Sequence, residues 1–401
     1  MAATTGAFGY NPSTNTELFI AMAPLQITGA QTVVVPIPDD CVAWQVQGVG
    51  TGGSGGVNAN VANLGPKATG GGGGPWARIF RNYTKGSSSL TVILGAPGVS
   101  TGSGNQARAN GADGASSTVS DGTITLTIPG GKKGNSTTSD TTCAGSTICA
   151  SPTVSDGGNI DFSLGGTSGQ VLGTTTAGTG CSGGAGPGSI YGAGGNSGAV
   201  GLNTSDASTL KASGGASCYA SSGSVVTGST AASGGAGKFA SANVTSGAGA
   251  AGGTLSSTTG IVFNQTLVGQ QTIDDWFSYE GTSEPGSGST SALVTAGQSG
   301  CGSAAAAGLL VTGTHGQGGF KGGSGGVANS DTTPSPTSIS GKGGAFAGSG
   351  GVIMNVDGGC ASGAAGFGGG SGGAANGDGD SSTSGSGGNA AVQIIFYLGK
   401  Q

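Results

Sequence analysis

Residues 180–201 read GCSGGAGPGSIYGAGGNSGAVG. Gly180, Gly183, Gly186, Gly192, Gly195, Gly198 and Gly201 share one phase of a three-residue period, broken only by Ser189. Gly363, Gly366, Gly369 and Gly372 repeat the pattern. A left-handed extended helix has three residues per turn, rises ~3.1 Å per residue and makes no internal hydrogen bonds. Glycine at every third position leaves one edge of such a helix bare, so several can lie side by side. Their N–H and C=O groups then bond to neighbours, which meets the requirement that buried backbone polar groups be paired. The period predicts a bundle of short polyglycine II-like helices. A collagen triple helix would need an unbroken phase and far more than the 13 prolines present. A flexible Gly/Ser linker would account for the composition but not for the phase.

Composition points the same way. Glycine fills 93 of 401 positions and charged residues only 7%, so a conventional side-chain core is hard to build. Glycine also loses more conformational freedom on folding than any other residue. Backbone pairing must therefore supply what side-chain burial does not. Disorder would require high net charge with low hydrophobicity; the net charge is −5 and the mean hydropathy +0.05. The acidic balance and scattered Lys and Arg argue against nucleic acid as a partner. No apolar run reaches the ~20 residues of a spanning helix, so no membrane insertion is expected. The N-terminal MAATTGAFGYNPSTNTELFI has no basic n-region, which argues against a typical secretory signal.

The first 50 residues differ from the rest. ELFIAMAPL, Leu25–Ile27, TVVVPIP and CVAWQVQGV are apolar, β-branched runs separated by turn residues. Strand-like islands recur later at Trp76–Tyr83, Leu90–Leu94, Thr123–Ile128, Ile160–Leu164, Ile261–Val268, Leu309–Thr312, Val352–Val356 and Val392–Leu398, and Ala304–Ala307 is the one helix-like scrap. The expected fold class is mainly β and irregular, with almost no α-helix. A small β-sandwich-like frame of short strands would carry a glycine-rich, polyglycine II-like block. The expected division is an N-terminal strand or attachment region over 1–50, then a glycine-rich domain over 51–401 closed by a strand near 390–398.

Five stretches, in order, resemble the glycine-rich domain of bacteriophage tail and fibre proteins. They are TVVVPIPDD (32–40), VAWQVQGVGTGGSGG (42–56), GGGGGPWARIFRNYTKG (70–86), SSLTVILGAPG (88–98) and the closing GSGGNAAVQIIFYLGK (385–400). The resemblance covers the first 100 residues and the end of the chain, about a quarter of it; the middle matches in composition only. The resemblance implies a non-enzymatic virion structural protein, a subunit of a fibre, spike or fibre tip that projects from the particle and attaches to a host surface. Its partners would be other virion proteins and a host-surface glycan or protein receptor. Family analogy implies a homo-oligomer, a trimer, although a polyglycine block can also be built within one chain. A capsid or neck decoration fibre is an alternative placement. A cellular secreted glycine-rich structural or ice-binding protein is an alternative class.

Chemistry-bearing motifs are sparse. His315 is the only histidine and no G-x-S-x-G elbow accompanies it, so no Ser/His/Asp catalysis is expected. Asp39-Asp40 reads as a turn. No glycine run is followed by the Lys-Ser/Thr of a phosphate loop. NGDGD (376–380) faintly resembles a calcium loop but lacks the distal Glu, and reads as a turn. Asn82 and Asn243 begin glycosylation sequons without functional weight. No cofactor and no metal is expected. Of the seven cysteines, Cys143 and Cys149 in CAGSTIC are close enough in sequence for a hairpin-closing disulfide, against the alternative of small buried thiols. The densest aromatic and acidic cluster is TIDDWFSYE (272–280). There Asp274, Asp275, Trp276, Phe277 and Tyr279 could form a receptor-binding loop by stacking on sugars and accepting hydroxyl hydrogen bonds, or could anchor a local core.

Overall fold

A computed structural model of the chain describes residues 8–10, 18–59, 65–83, 86–100, 102–104, 108–137, 142–173, 179–189, 192–202, 210–216, 308–309, 313–314, 323–324, 326–329, 338–354, 358–378 and 380–399. Among these residues there is no α-helix; the chain is mainly β-strand, in several small sheets. The islands at 261–268 and 304–307 lie outside the described residues.

Two sheets form the side-chain-packed part. In the larger, Ala391–Leu398 pairs antiparallel with Cys41–Val49 on one side and with Leu25–Thr28 and Leu18–Ala21 on the other. Cys41–Val49 continues to Trp76–Asn82, and that strand to Asp161–Ser163. The second sheet runs Thr153–Val154, Thr125–Ile128, Ser117–Ser120, Ser89–Leu94, Gln31–Pro36. The second obeys the two-residue period of a half-buried strand: Leu90, Val92 and Leu94 are buried, while Ile93 is exposed; the central strands of the larger sheet are buried on both faces. One apolar cluster joins the sheets, with Trp44, Val46, Ile79, Val392 and Ile394 facing Leu90, Val92, Val119, Leu126 and Ile128. The strands near the N-terminus are thus woven into sheets with strands from 76–94 and 391–398.

The other face of the larger sheet meets the glycine-rich block. Val49, Trp76 and Ala391 pack on Phe346, with Ala345 and Phe367 beside them. Phe346 holds φ 59°, the left-handed region that costs a side-chain-bearing residue roughly 1–2 kcal/mol. Its counterpart in the next coil, Gly368, turns at φ +69°. Burial of the Phe346 ring against the sheet offsets its backbone strain.

Below this contact the chain runs in extended segments that leave and return to the two sheets. Their hydrogen bonds step by three residues. Gly50, Gly53 and Gly56 donate to the carbonyls of Pro75, Gly72 and Thr69; Ser182, Ala185 and Gly188 donate to Ala68, Gly71 and Gly74. Ser362, Ala365 and Gly368 donate to Thr383, Ser386 and Asn389. One segment serves several neighbours in turn: the N–H of Gly71 goes to Ser371, that of Gly72 to Lys132 and that of Gly73 to Gly166. The glycines are needed for approach rather than for φ. A Cβ on Gly372 would stand 2.1 Å from the Gly350 carbonyl oxygen, one on Gly70 2.2 Å from that of Gly183, and one on Gly53 2.1 Å from that of Lys132.

At their far ends the segments finish as strands of two or three residues in four stacked sheets. Ala68, Cys181, Leu210, Ala212, Ile353 and Ala375 fill one interlayer space; Val57, Val327, Val352, Met354, Cys360 and Ala374 fill the next. Cys143, Val171, Val200 and Leu202 form a third. Val352 and Met354 face one way and Ile353 the other, so the two-residue alternation of a strand returns there.

Candidate functional site

Strand register fixes where the chain turns. Asn58, Arg108, Asn329, Met354 and Asn376 share one end of the six-stranded sheet. Thr137, Lys67, Thr179 and Leu210 share the corresponding end of the four-stranded one. The stretches 59–66, 104–107, 138–142, 173–178, 202–209, 310–312, 330–337, 355–359 and 377–381 therefore all have their bordering strand ends at the far end of the block. In sequence they carry Thr, Ser, Asn and Asp, and no Lys, Arg or aromatic residue. The near-end turns contrast with them: Phe346 and Phe367 stand there against the large sheet.

Buried side-chain amides staple the far end. Asn58 Nδ2 donates to the carbonyls of Lys67 (3.3 Å) and Thr137 (2.6 Å). Asn376 Nδ2 donates to the Gly358 carbonyl at 2.6 Å, while its Oδ1 accepts the Asp378 N–H at 2.9 Å. Asp380 Oδ2 accepts the Gly358 N–H. NGDGD is thus a side-chain-closed turn, and no group of three or more potential metal ligands occurs among the described residues. Lys211 Nζ, largely buried, donates to the Gly201 carbonyl at 3.0 Å. Asp39-Asp40 also lies in a turn: the Cys41 N–H returns to Pro38 and the Asp40 carbonyl accepts from Gly399.

Serines inside the block carry a role that the motif search missed. Ser349 Oγ donates to the Gly363 carbonyl (2.6 Å) and accepts the Gly372 N–H (2.9 Å). Ser362 Oγ donates to Gly372 (2.6 Å) and accepts from Gly385 (2.7 Å). Ser340 and Ser371 do the same between Gly350 and Gly363, and between Gly385 and Gly55. Ser182 and Ser213 repeat the bridge elsewhere. Each hydroxyl fills a gap in the backbone network by joining a donor on one segment to an acceptor on another. The sequence signal was available: GSGG stands at 323–326 and recurs at 348–351 and 370–373.

Cys143 and Cys149 are free, buried thiols, and the expected bridge between them is not formed. CAGSTIC is one extended segment, not a hairpin. Cys143 pairs with Val171, Ser146 with Ser168, and Cys149 lies against the Gly165 backbone. Six residues at ~3.1 Å each place the two cysteines about 19 Å apart, whereas a disulfide requires Cα atoms within roughly 7 Å. Cys41, Cys181 and Cys360 are also free and buried. Loss of hydration pushes the Cys143 and Cys360 thiols up to about 12 and raises that of Cys181 as well. At neutral pH these thiols stay protonated and act as small apolar fillers.

The large sheet carries a second polar cluster on its block-facing side. Arg78 pairs with Asp161 at 3.0 Å and lies over the Trp76 ring; Gln47 donates to Gln393 at 2.5 Å, and Tyr397 Oη to Gln45 at 3.2 Å. Paired amides and an ion pair hold that face together. Asp274, Asp275, Trp276, Phe277 and Tyr279 lie outside the described residues, as does His315. No helix among the described residues is long and apolar enough to cross a membrane. No protein-family model matches the chain, and no curated protein matches it in sequence.

Proposed function

We propose that this chain is a non-enzymatic structural subunit of a virion appendage, a fibre, spike or fibre tip that projects from the particle and attaches to a host surface. The observation that carries this reading is that the described strands bordering nine connections, most of them rich in Thr, Ser, Asn or Asp, have their ends at the side of the block away from the two large sheets. That arrangement separates an anchoring end, rich in side-chain packing, from a presenting end rich in hydroxyl, amide and carboxylate groups. Such groups exchange hydrogen bonds with a glycan surface, and loops on a rigid scaffold are the usual place for recognition. The anchoring end would join other virion proteins.

The segments between the two ends are, in this proposal, polyglycine II-like helices. Hydrogen bonds that step by three, neighbours on several sides and glycines that admit no Cβ support it. So does the outward position of Thr383, Ser386 and Asn389, exposed or half-buried, with buried pairs between them. A polyproline-type circular dichroism signal that melts cooperatively tests the helices; a plain β-sheet spectrum sinks them.

Gold-labelled antibody against the purified chain, applied to intact particles, tests the placement. Label at an appendage supports the reading. Label spread over the capsid replaces it with a decoration fibre, and absence of label from particles overturns the virion assignment. TIDDWFSYE is proposed as a further contact element. Trp276→Ala should then abolish adsorption to host cells while leaving the melting temperature unchanged; unfolding would mean a core role instead.

A further inference from the structure

The six-stranded and the outer five-stranded sheets of the block are built by coils that repeat along the sequence. Ser338, Cys360 and Ser382 are register partners at equal spacing in the chain, and Val352 and Ala374 keep the same spacing. The partners Val327 and Val352 stand further apart in sequence, and so do Gly313 and Ser338. The repeat length therefore varies while the pairing does not.

The difference falls in one place. Ile339 to Val352 and Ala361 to Ala374 are each 13 steps, the half-coil that passes over the near-end turn, and Thr314 and Val327 stand the same 13 steps apart in sequence. The far-end connections differ: 310–312 has three residues, 330–337 has eight, and 355–359 and 377–381 have five each. The constant half is held by contacts that admit no slip. The bridges of Ser340, Ser349, Ser362 and Ser371 lie in it. So do the Gly363 and Gly372 positions, where a Cβ would meet a neighbouring carbonyl oxygen at 2.3 and 2.1 Å. A shift by one residue would present a side chain to those oxygens and pull the hydroxyls from their partners.

We infer that the far-end turn at Gly377–Asp378 is a length-permissive display position, and that the near-end half-coils 339–352 and 361–374 are length-locked. Added chain at 377–381 emerges as an accessible segment without disturbing the block. The same addition at 367–368 breaks it. The cost of enlarging a loop grows only with the logarithm of its length, whereas a register slip acts on every contact of the half-coil. This inference rests on strand register and is independent of the virion reading.

The test inserts one nine-residue neutral epitope into the full chain, after Asp378 in one variant and after Phe367 in another. A second pair carries a Gly/Ser insert of equal length, so that the epitope's own sequence is not the cause of failure. Three readouts are taken: the melting midpoint, reaction of the buried cysteines with a thiol reagent, and antibody capture of the native protein. Insertion after Asp378 is expected to shift the midpoint by no more than about 3 °C, leave Cys143, Cys181 and Cys360 unreactive, and permit capture. Insertion after Phe367 is expected to abolish the cooperative transition and expose the thiols. Equal tolerance at both positions, equal disruption at both, or a folded Asp378 variant that antibody cannot capture each overturns the inference.

Discussion

The two-sheet region and the glycine-rich block belong to one chain but are held together by opposite means. In the first, Trp44, Val46, Leu90, Leu126 and Ile394 exclude water, and the backbone pairs within each sheet. In the second, side chains give way so that carbonyl oxygens of one segment reach the α-carbons of the next. A side-chain core tolerates a lost methylene by relaxing around it and resents a cavity. Where backbone packs on backbone, the block has no cavity to make. It resents any added atom and any hydroxyl removed. The same substitution should therefore carry a different cost in each region.

The largest effect is expected from adding a single methyl group to the block. Gly372→Ala places a Cβ 2.1 Å from the Gly350 carbonyl oxygen, against backbone atoms of Gly350 and Gly351 that cannot swing away as a side chain would. The expected loss exceeds about 4 kcal/mol, in the exceptional range for one substitution, and should appear as absence of a folded fraction on denaturant titration. Leu126→Ala, at a fully buried position in the side-chain core, should cost about 3 kcal/mol with the cooperative transition retained. Ser349→Ala leaves the Gly372 N–H and the Gly363 carbonyl without their hydroxyl. Its expected cost is about 2 kcal/mol, and amide exchange at Gly372 should accelerate selectively. If Ser349→Ala is silent, the serines are space-fillers and the contrast between the regions narrows. The smallest effect belongs to Gly104→Ala. A Cβ there meets nothing within 4 Å, and the change in stability should stay within about 0.5 kcal/mol. A large loss at Gly104 would mean that glycine matters in the block for its flexibility, not for approach.

Much of the two-sheet region could be read from sequence because its signal is local. QTVVVP, CVAWQVQGV, WARIFRN, SLTVIL and AVQIIFYL are each long enough to show an apolar, β-rich run, with period-two alternation in SLTVIL, and each is a strand. The two-residue strands of the block, such as Lys67–Ala68 and Cys360–Ala361, are too short to show any period. They exist because the chain on either side is already aligned. The three-residue glycine phase was visible at 180–201, yet its consequence, hydroxyls bridging separate segments, depends on which segments adjoin. CAGSTIC misled for a related reason. Two cysteines six apart suggest a hairpin only if the intervening residues turn, and Gly145 and Ser146 instead extend alongside Ser168. The far-end face was not legible at all. Strand ends scattered along most of the chain come to one side of the block only through the strand register.

The position of Ala391–Leu398 has a kinetic consequence. Ile394 pairs with Val46 across nearly the whole length of the chain, and this late strand lies inside its sheet, not at the edge. Neighbours so distant in sequence give a high contact order, and such topologies fold slowly. A ribosome must pass residue 398 before the centre of the large sheet can close. The segments already made wait with their amides unanswered until then. Once that strand is seated, it cannot be stripped away without parting the sheet on both sides, so slow assembly and slow release are two faces of one topology.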